Sequence, residues 1–112
     1  MTDFSTQALD NGTEIIRTPR RLNLVNAPRL TAVVDQIIAS GGPRIVVDLS
    51  GTEFIDSSGL GALVSSLKKA RQAGGDLRIA GLAPQVQAVF KLTNLDRILK
   101  TVPAADIASA AF

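Results

Sequence analysis

The chain of 112 residues contains no cysteine, histidine, tryptophan or tyrosine, and its only aromatic residues are four phenylalanines. Each absence removes a class of chemistry. Without cysteine no disulfide forms. Without histidine or cysteine, the Ser–His and Cys–His nucleophilic systems and the common zinc sites are excluded. So few rings leave no stacking platforms for bases, and Lys68, Lys69, Arg71 and Arg78 read as solvated charge rather than a nucleic-acid surface. A net charge of +2 is too small to imply nucleic acid or an anionic membrane as the main partner. No apolar stretch approaches the roughly 20 residues needed to span a bilayer. The N-terminus MTDFSTQALDNG lacks the basic start and apolar run of a signal peptide. Gly59-Leu60-Gly61 meets neither the dinucleotide-binding glycine pattern nor the P-loop pattern with its lysine. No cofactor, metal, membrane or direct nucleic-acid contact is expected, and the cysteine-free composition fits a reducing cytoplasm.

The residues present are those of an ordinary globular chain, 46% hydrophobic and 20% charged, and their number suits one domain spanning 1–112. Asp10-Asn11-Gly12 between short runs at 3–9 and 13–18 predicts a hairpin. Pro19-Arg20-Arg21 ends its second strand. Asn26 before Ala27-Pro28 reads as a helix cap with proline in the first turn. Leu30, Val33, Val34, Ile37 and Ile38 follow as a one-sided stripe, stopped by Ser40-Gly41-Gly42-Pro43. The β-branched run Arg44–Leu49 suits an interior strand covered on both faces. Leu60, Leu63, Val64 and Leu67 form a second helical stripe ending in Lys68, Lys69 and Arg71, where the helix dipole favours cations. A strand at Asp76–Ala80 and a third helix over 84–93 follow, with Val86, Val89 and Phe90 inward. A short strand over 97–102 and an alanine-rich helix near 103–111 complete the order ββαβαβαβα. Right-handed crossovers make the later strands parallel, so an α/β domain with a mixed sheet is expected.

Residues 54–61, FIDSSGLG, concentrate the chemistry. They stand at a strand-to-helix junction, where up to four backbone N–H groups lack internal partners and one Asp or Ser oxygen is worth about 1 kcal/mol. Asp56, Ser57 and Ser58 all offer that oxygen, and Ser58 reads as the cap or as a helix-start hydroxyl, ahead of a modified residue. Asp56 could cap or orient the Ser57 hydroxyl. Gly59 and Gly61 each cost roughly 1 kcal/mol relative to alanine inside a helix, but they allow close approach of another molecule. A capped helix start and a switch site both fit these residues.

The run VVDLSGTEFIDSSGLGALV, followed by RQAGGDLRIAGLAPQVQAVFKLTNLDRIL, resembles the STAS domain of bacterial anti-sigma factor antagonists. The likeness covers nearly the whole chain. It implies a single STAS-type domain of the α/β class, with a mixed four- to five-stranded β-sheet and about four α-helices mostly on one face. It also implies a non-enzymatic protein that binds an anti-sigma factor serine kinase when unphosphorylated, releasing a sigma factor. By the same resemblance Ser57 is the residue phosphorylated, Asp56, Ser58 and Gly59 adjoin the partner, and a phosphatase resets the switch. The chain departs from the family's usual Gly-x-Leu-Asp stretch at Arg20-Arg21-Leu22-Asn23. If that loop lines the partner site, Arg20, Arg21 and Asn23 favour an acidic partner surface or hold a Ser57 phosphate. The rival expectations are a constitutive STAS scaffold in a signalling assembly, including a weak homodimer, and a STAS domain with a small-ligand pocket near the motif.

Overall fold

The computed structural model describes residues 4–42 and 44–103. Its elements are β1 (Ser5–Ala8), β2 (Glu14–Arg17), β3 (Arg21–Leu22), α1 (Ala27–Ala39), β4 (Arg44–Asp48), β5 (Phe54–Ile55), α2 (Ser57–Gln72), β6 (Asp76–Ala80), α3 (Pro84–Leu92), a 3₁₀ turn (Leu95–Arg97) and β7 (Thr101–Val102). Five strands form one sheet in the order β1-β2-β4-β6-β7, with β1 antiparallel to β2 and the remaining pairs parallel. The mixed sheet follows from the sequence. Asn11 and Gly12 turn the hairpin, Gly12 at φ 85° with the Asn11 carboxamide oxygen accepting from Thr13 N–H, and each later strand is reached through a helix.

Strand periodicity of two divides the sheet's side chains between two clusters. Ile16, Ile45, Val47, Leu77 and Ile79 pack with Leu30 and Val34 of α1, Leu63 and Leu67 of α2, and Val86 and Phe90 of α3. All three α-helices therefore cover the same face. Ile15, Val46 and Ala80 form the smaller cluster on the opposite face, where Arg17 pairs with the nearly buried Asp48 at 3.5 Å. The β4 residues Ile45–Asp48 are all buried, as an interior strand requires.

Several expectations are corrected. The described residues hold three α-helices rather than about four; the helix expected near 103–111 falls, apart from Pro103, outside them. The strand expected over 97–102 shrinks to Thr101–Val102. Asn94, at φ 58°, turns the chain out of α3, and Leu95–Arg97 coil into the 3₁₀ turn that carries Leu99 into the core. Asn26 stands at the start of α1 but its side chain does not cap it. Its carboxamide instead accepts from Asn23 N–H at 2.9 Å and donates to the Arg21 carbonyl at 2.7 Å.

A second, two-stranded parallel sheet joins β3 to β5, pairing Arg21 with Phe54 and Leu22 with Ile55. A buried polar contact sets it up. The hydroxyls of Thr18 and Thr52 meet at 2.5 Å, and the Thr52 hydroxyl also lies 2.7 Å from the Pro19 carbonyl. Just beyond, Glu53 and Phe54 donate their N–H groups to the Arg20 carbonyl at 2.8 and 3.3 Å. The segments 18–20 and 52–54 are thus joined before β3 and β5 begin. Thr52→Val keeps the volume and strands buried acceptors, so it should cost about 1–3 kcal/mol. Thermal denaturation followed by circular dichroism should show a fall in Tm of roughly 5 °C or more.

Candidate functional site

β5 delivers the chain to α2 through one extended residue, Asp56, at φ −106° and ψ −176°. That conformation turns its carboxylate back over the helix start. Oδ1 accepts from Gly59 N–H at 2.9 Å, which makes Asp56 the N-cap. Oδ2 accepts from Leu24 N–H at 3.0 Å, and the Asp56 N–H donates to the Leu22 carbonyl at 3.2 Å. One residue therefore caps α2 and ties it to the loop between β3 and α1. Of the two expectations for Ser58, cap or helix-start hydroxyl, the second holds, and the cap reading of Asp56 is borne out. Ser57 and Ser58 are already helical, and the extended residue that a cap requires is Asp56. Ser57 is the exposed first residue of α2, whereas Ser58 is half-buried.

The two glycines part company. Gly59 is buried, and a Cβ there would lie 2.6 Å from the Leu22 carbonyl oxygen and 2.8 Å from Ile55 Cγ1. Its missing side chain admits the chain's own β3. Gly61 is exposed, and a Cβ there would meet nothing within 4 Å. The fold itself does not require that second glycine.

The segment Arg20–Asn26 lies against this helix start, as the sequence had suggested it could. Asn23 organises it: its Oδ1 accepts from Val25 N–H at 3.1 Å, and its carbonyl accepts from Asn26 and Ala27 N–H at 3.2 and 2.7 Å. Arg20 pairs with Glu53 at 2.7 Å, both side chains more than half exposed, a geometry worth little in water. Arg21 is exposed opposite Phe54. A groove of about 360 Å³ runs between the N-terminal halves of α1 and α2, lined by Leu24, Pro28, Thr31, Ser58, Gly61 and Ser65 among others.

Sequence reasoning missed the apolar part of this surface. Leu24 and Val25 are 71% and 86% exposed, and Phe54 is 51% exposed. The available signal was an aliphatic pair set between two asparagines in a turn, where no helical or strand period asks for it.

The glycine contrast is testable by urea denaturation. Gly59→Ala should destabilise the domain by about 1–3 kcal/mol, because a backbone oxygen already held by a hydrogen bond blocks the new methyl. Gly61→Ala should stabilise it by up to about 1 kcal/mol through helix propensity alone.

Comparison with known proteins agrees with this architecture. The family model described as the STAS domain matches residues 8–108. A protein of Thermotoga maritima, provisionally named an anti-sigma factor antagonist, is 37% identical over 87 residues, covering 77% of either chain. A crystal structure of an anti-sigma factor antagonist from Mycobacterium paratuberculosis superposes with a TM-score of 0.78 at 27% identity, over 96% of this chain and 92% of that one. The Bacillus cell fate determinant SpoIIAA in its phosphorylated form shares the fold at a TM-score of 0.74 and 18% identity, over 96% of this chain and 97% of its own. On a match spanning most of its length, and with relatives of this kind, the chain belongs to the STAS domain family, in the group of the anti-sigma factor antagonists.

Proposed function

We propose that residues 1–112 act as one phosphorylation-switched anti-sigma factor antagonist. Unphosphorylated, the domain binds an anti-sigma factor serine kinase and so frees a sigma factor. Phosphorylation of Ser57 ends that binding, and a phosphatase restores it. The observation that carries this reading is the position of Ser57: exposed, first in α2, and next in the chain to Asp56, whose carboxylate caps the helix and accepts from Leu24 N–H in the apolar turn.

The physical chemistry of that position favours a switch. A phosphate adds about −1.5 to −2 charges and strong acceptor oxygens where one neutral hydroxyl stood. A helix N-terminus tolerates an anion, so the domain stays folded. A partner surface packed over Leu24, Val25 and a neutral Ser57 meets buried charge next to the Asp56 carboxylate. Asp56, Ser58 and Gly59 shape the helix side of that contact, and Arg20, Arg21 and Asn23 the loop side, with the arginines suited to acidic groups on the partner. Ser57 is favoured over Ser58 as the modified residue because Ser58 is half-buried in the groove wall. The phosphorylated form of SpoIIAA supports the reading to the extent that this fold accommodates such a change.

Incubation with a cognate kinase and ATP should add one phosphate to the wild-type chain and to Ser58→Ala, read by intact mass, and none to Ser57→Ala. Undiminished phosphate on Ser57→Ala would sink the assignment. Ser57→Glu should weaken kinase binding by about 10²–10³-fold, equivalent to 3–4 kcal/mol, with Tm held within a few degrees. Loss of the fold in that variant would assign the serine to helix capping instead.

A further inference from the structure

A second groove, of about 310 Å³, lies between the β1–β2 hairpin and the C-terminal half of α1. It stands at the opposite end of α1 from Ser57, roughly 20 Å along that 13-residue helix. It opens because the edge strand presents only Thr6 and Ala8 there, in register with Ile16 and Glu14. Leu9, Val33 and Ile37 give it apolar walls, and Glu14 and Gln36 contribute polar groups. Its size is at the lower end of small-molecule sites.

Two electronegative features face this space, and among the described residues neither has a lysine or arginine paired with it. Glu14 is half-buried, its Cγ 3.7 Å from where a Gly42 side chain would begin. Among the described residues no lysine or arginine stands within ion-pair distance of it. The second feature is the carboxyl end of α1, where the helix dipole concentrates partial negative charge, although the Gln36, Ile37 and Ile38 carbonyls already accept from the N–H groups of Ser40, Gly42 and Gly41. The last turn of α1 contains no basic residue, whereas α2 ends with Lys69 and Arg71 and α3 with Lys91. Arg44, the nearest guanidinium along the chain, reaches the rim at Gly12 but donates to the Asn11 carbonyl at 2.6 Å.

From this complementarity we infer that the groove binds a small amphipathic cation, a primary ammonium on a short aliphatic stem. The ammonium sits against the Glu14 carboxylate beside the carboxyl end of α1, and the stem lies along Val33 and Ile37. The site is independent of the Ser57 switch and involves no covalent step.

The test is an NMR titration of the isotope-labelled full chain with 1,5-diaminopentane, with 1-pentanol as the uncharged control. Saturable shifts are expected at the amides of Glu14 and residues 36–42 and at the Val33 and Ile37 methyls, with 1-pentanol binding far more weakly. Glu14→Gln should weaken the diamine by about tenfold or more, the effect of removing one charge-assisted contact. Ser40→Lys, at the exposed end of α1, should supply an internal cation, block the diamine and leave the fold intact. Equal binding of pentanol, absence of saturation at millimolar diamine, or an unchanged affinity in both variants would overturn the proposal.

Discussion

The Asp56 carboxylate accepts backbone N–H groups from two places far apart in sequence, Gly59 in α2 and Leu24 in the turn before α1. The arrangement of this end of the molecule depends on that double acceptance. Hydrogen bonds to an ionised acceptor are roughly twice as strong as neutral ones. They hold α2 and the Asn23–Asn26 turn in one geometry. Gly59 is needed because that geometry brings Leu22 against the helix. The Thr18–Thr52 contact is needed because β5 must reach Asp56 already paired with β3. An aspartate that looked like one of three interchangeable caps is thus the residue that joins the helix start to the loop.

Much of the fold was legible because it rests on local period. The hairpin turn, the β-branched run of β4 and the apolar stripes of α1, α2 and α3 each carry their own signal. The elements that were not legible depend on contacts between distant segments. β3 and β5 are two residues each, too short for any alternation, and they exist because each pairs with the other. Asn26 looked like a cap by position, yet the reciprocal bonds with Asn23 and Arg21 claim its side chain. At the site, the strand-to-helix junction within 54–61 was readable from the residues, while the nearness of Arg20–Asn23 came only through the family resemblance. The choice of Asp56 over Ser58 as the cap was not, since it turns on which residue remains extended. Nor was the exposure of Leu24 and Val25 readable, because an aliphatic residue in a turn is apolar whether or not it faces the core.

The five-stranded sheet and the small β3–β5 sheet divide the molecule's tasks. The larger sheet carries Ile16, Ile45, Val47, Leu77 and Ile79 into the core, and the smaller one adds Leu22 and Ile55. The smaller sheet also leads into the candidate switch. Ser57 itself is exposed, so charge added there points away from those buried side chains.

The turn that displays Leu24 and Val25 has a further consequence. Its backbone N–H groups are satisfied internally, by Asn23, Asn26 and Asp56. Fixing a residue's backbone costs about 1–2 kcal/mol of conformational entropy, and here that loss falls on folding rather than on association. An incoming surface meets two aliphatic side chains on a backbone already set. Recognition at this turn then has the character of rigid-body docking, and differences between partners are expressed in how long the complex lasts rather than in how fast a loop can order.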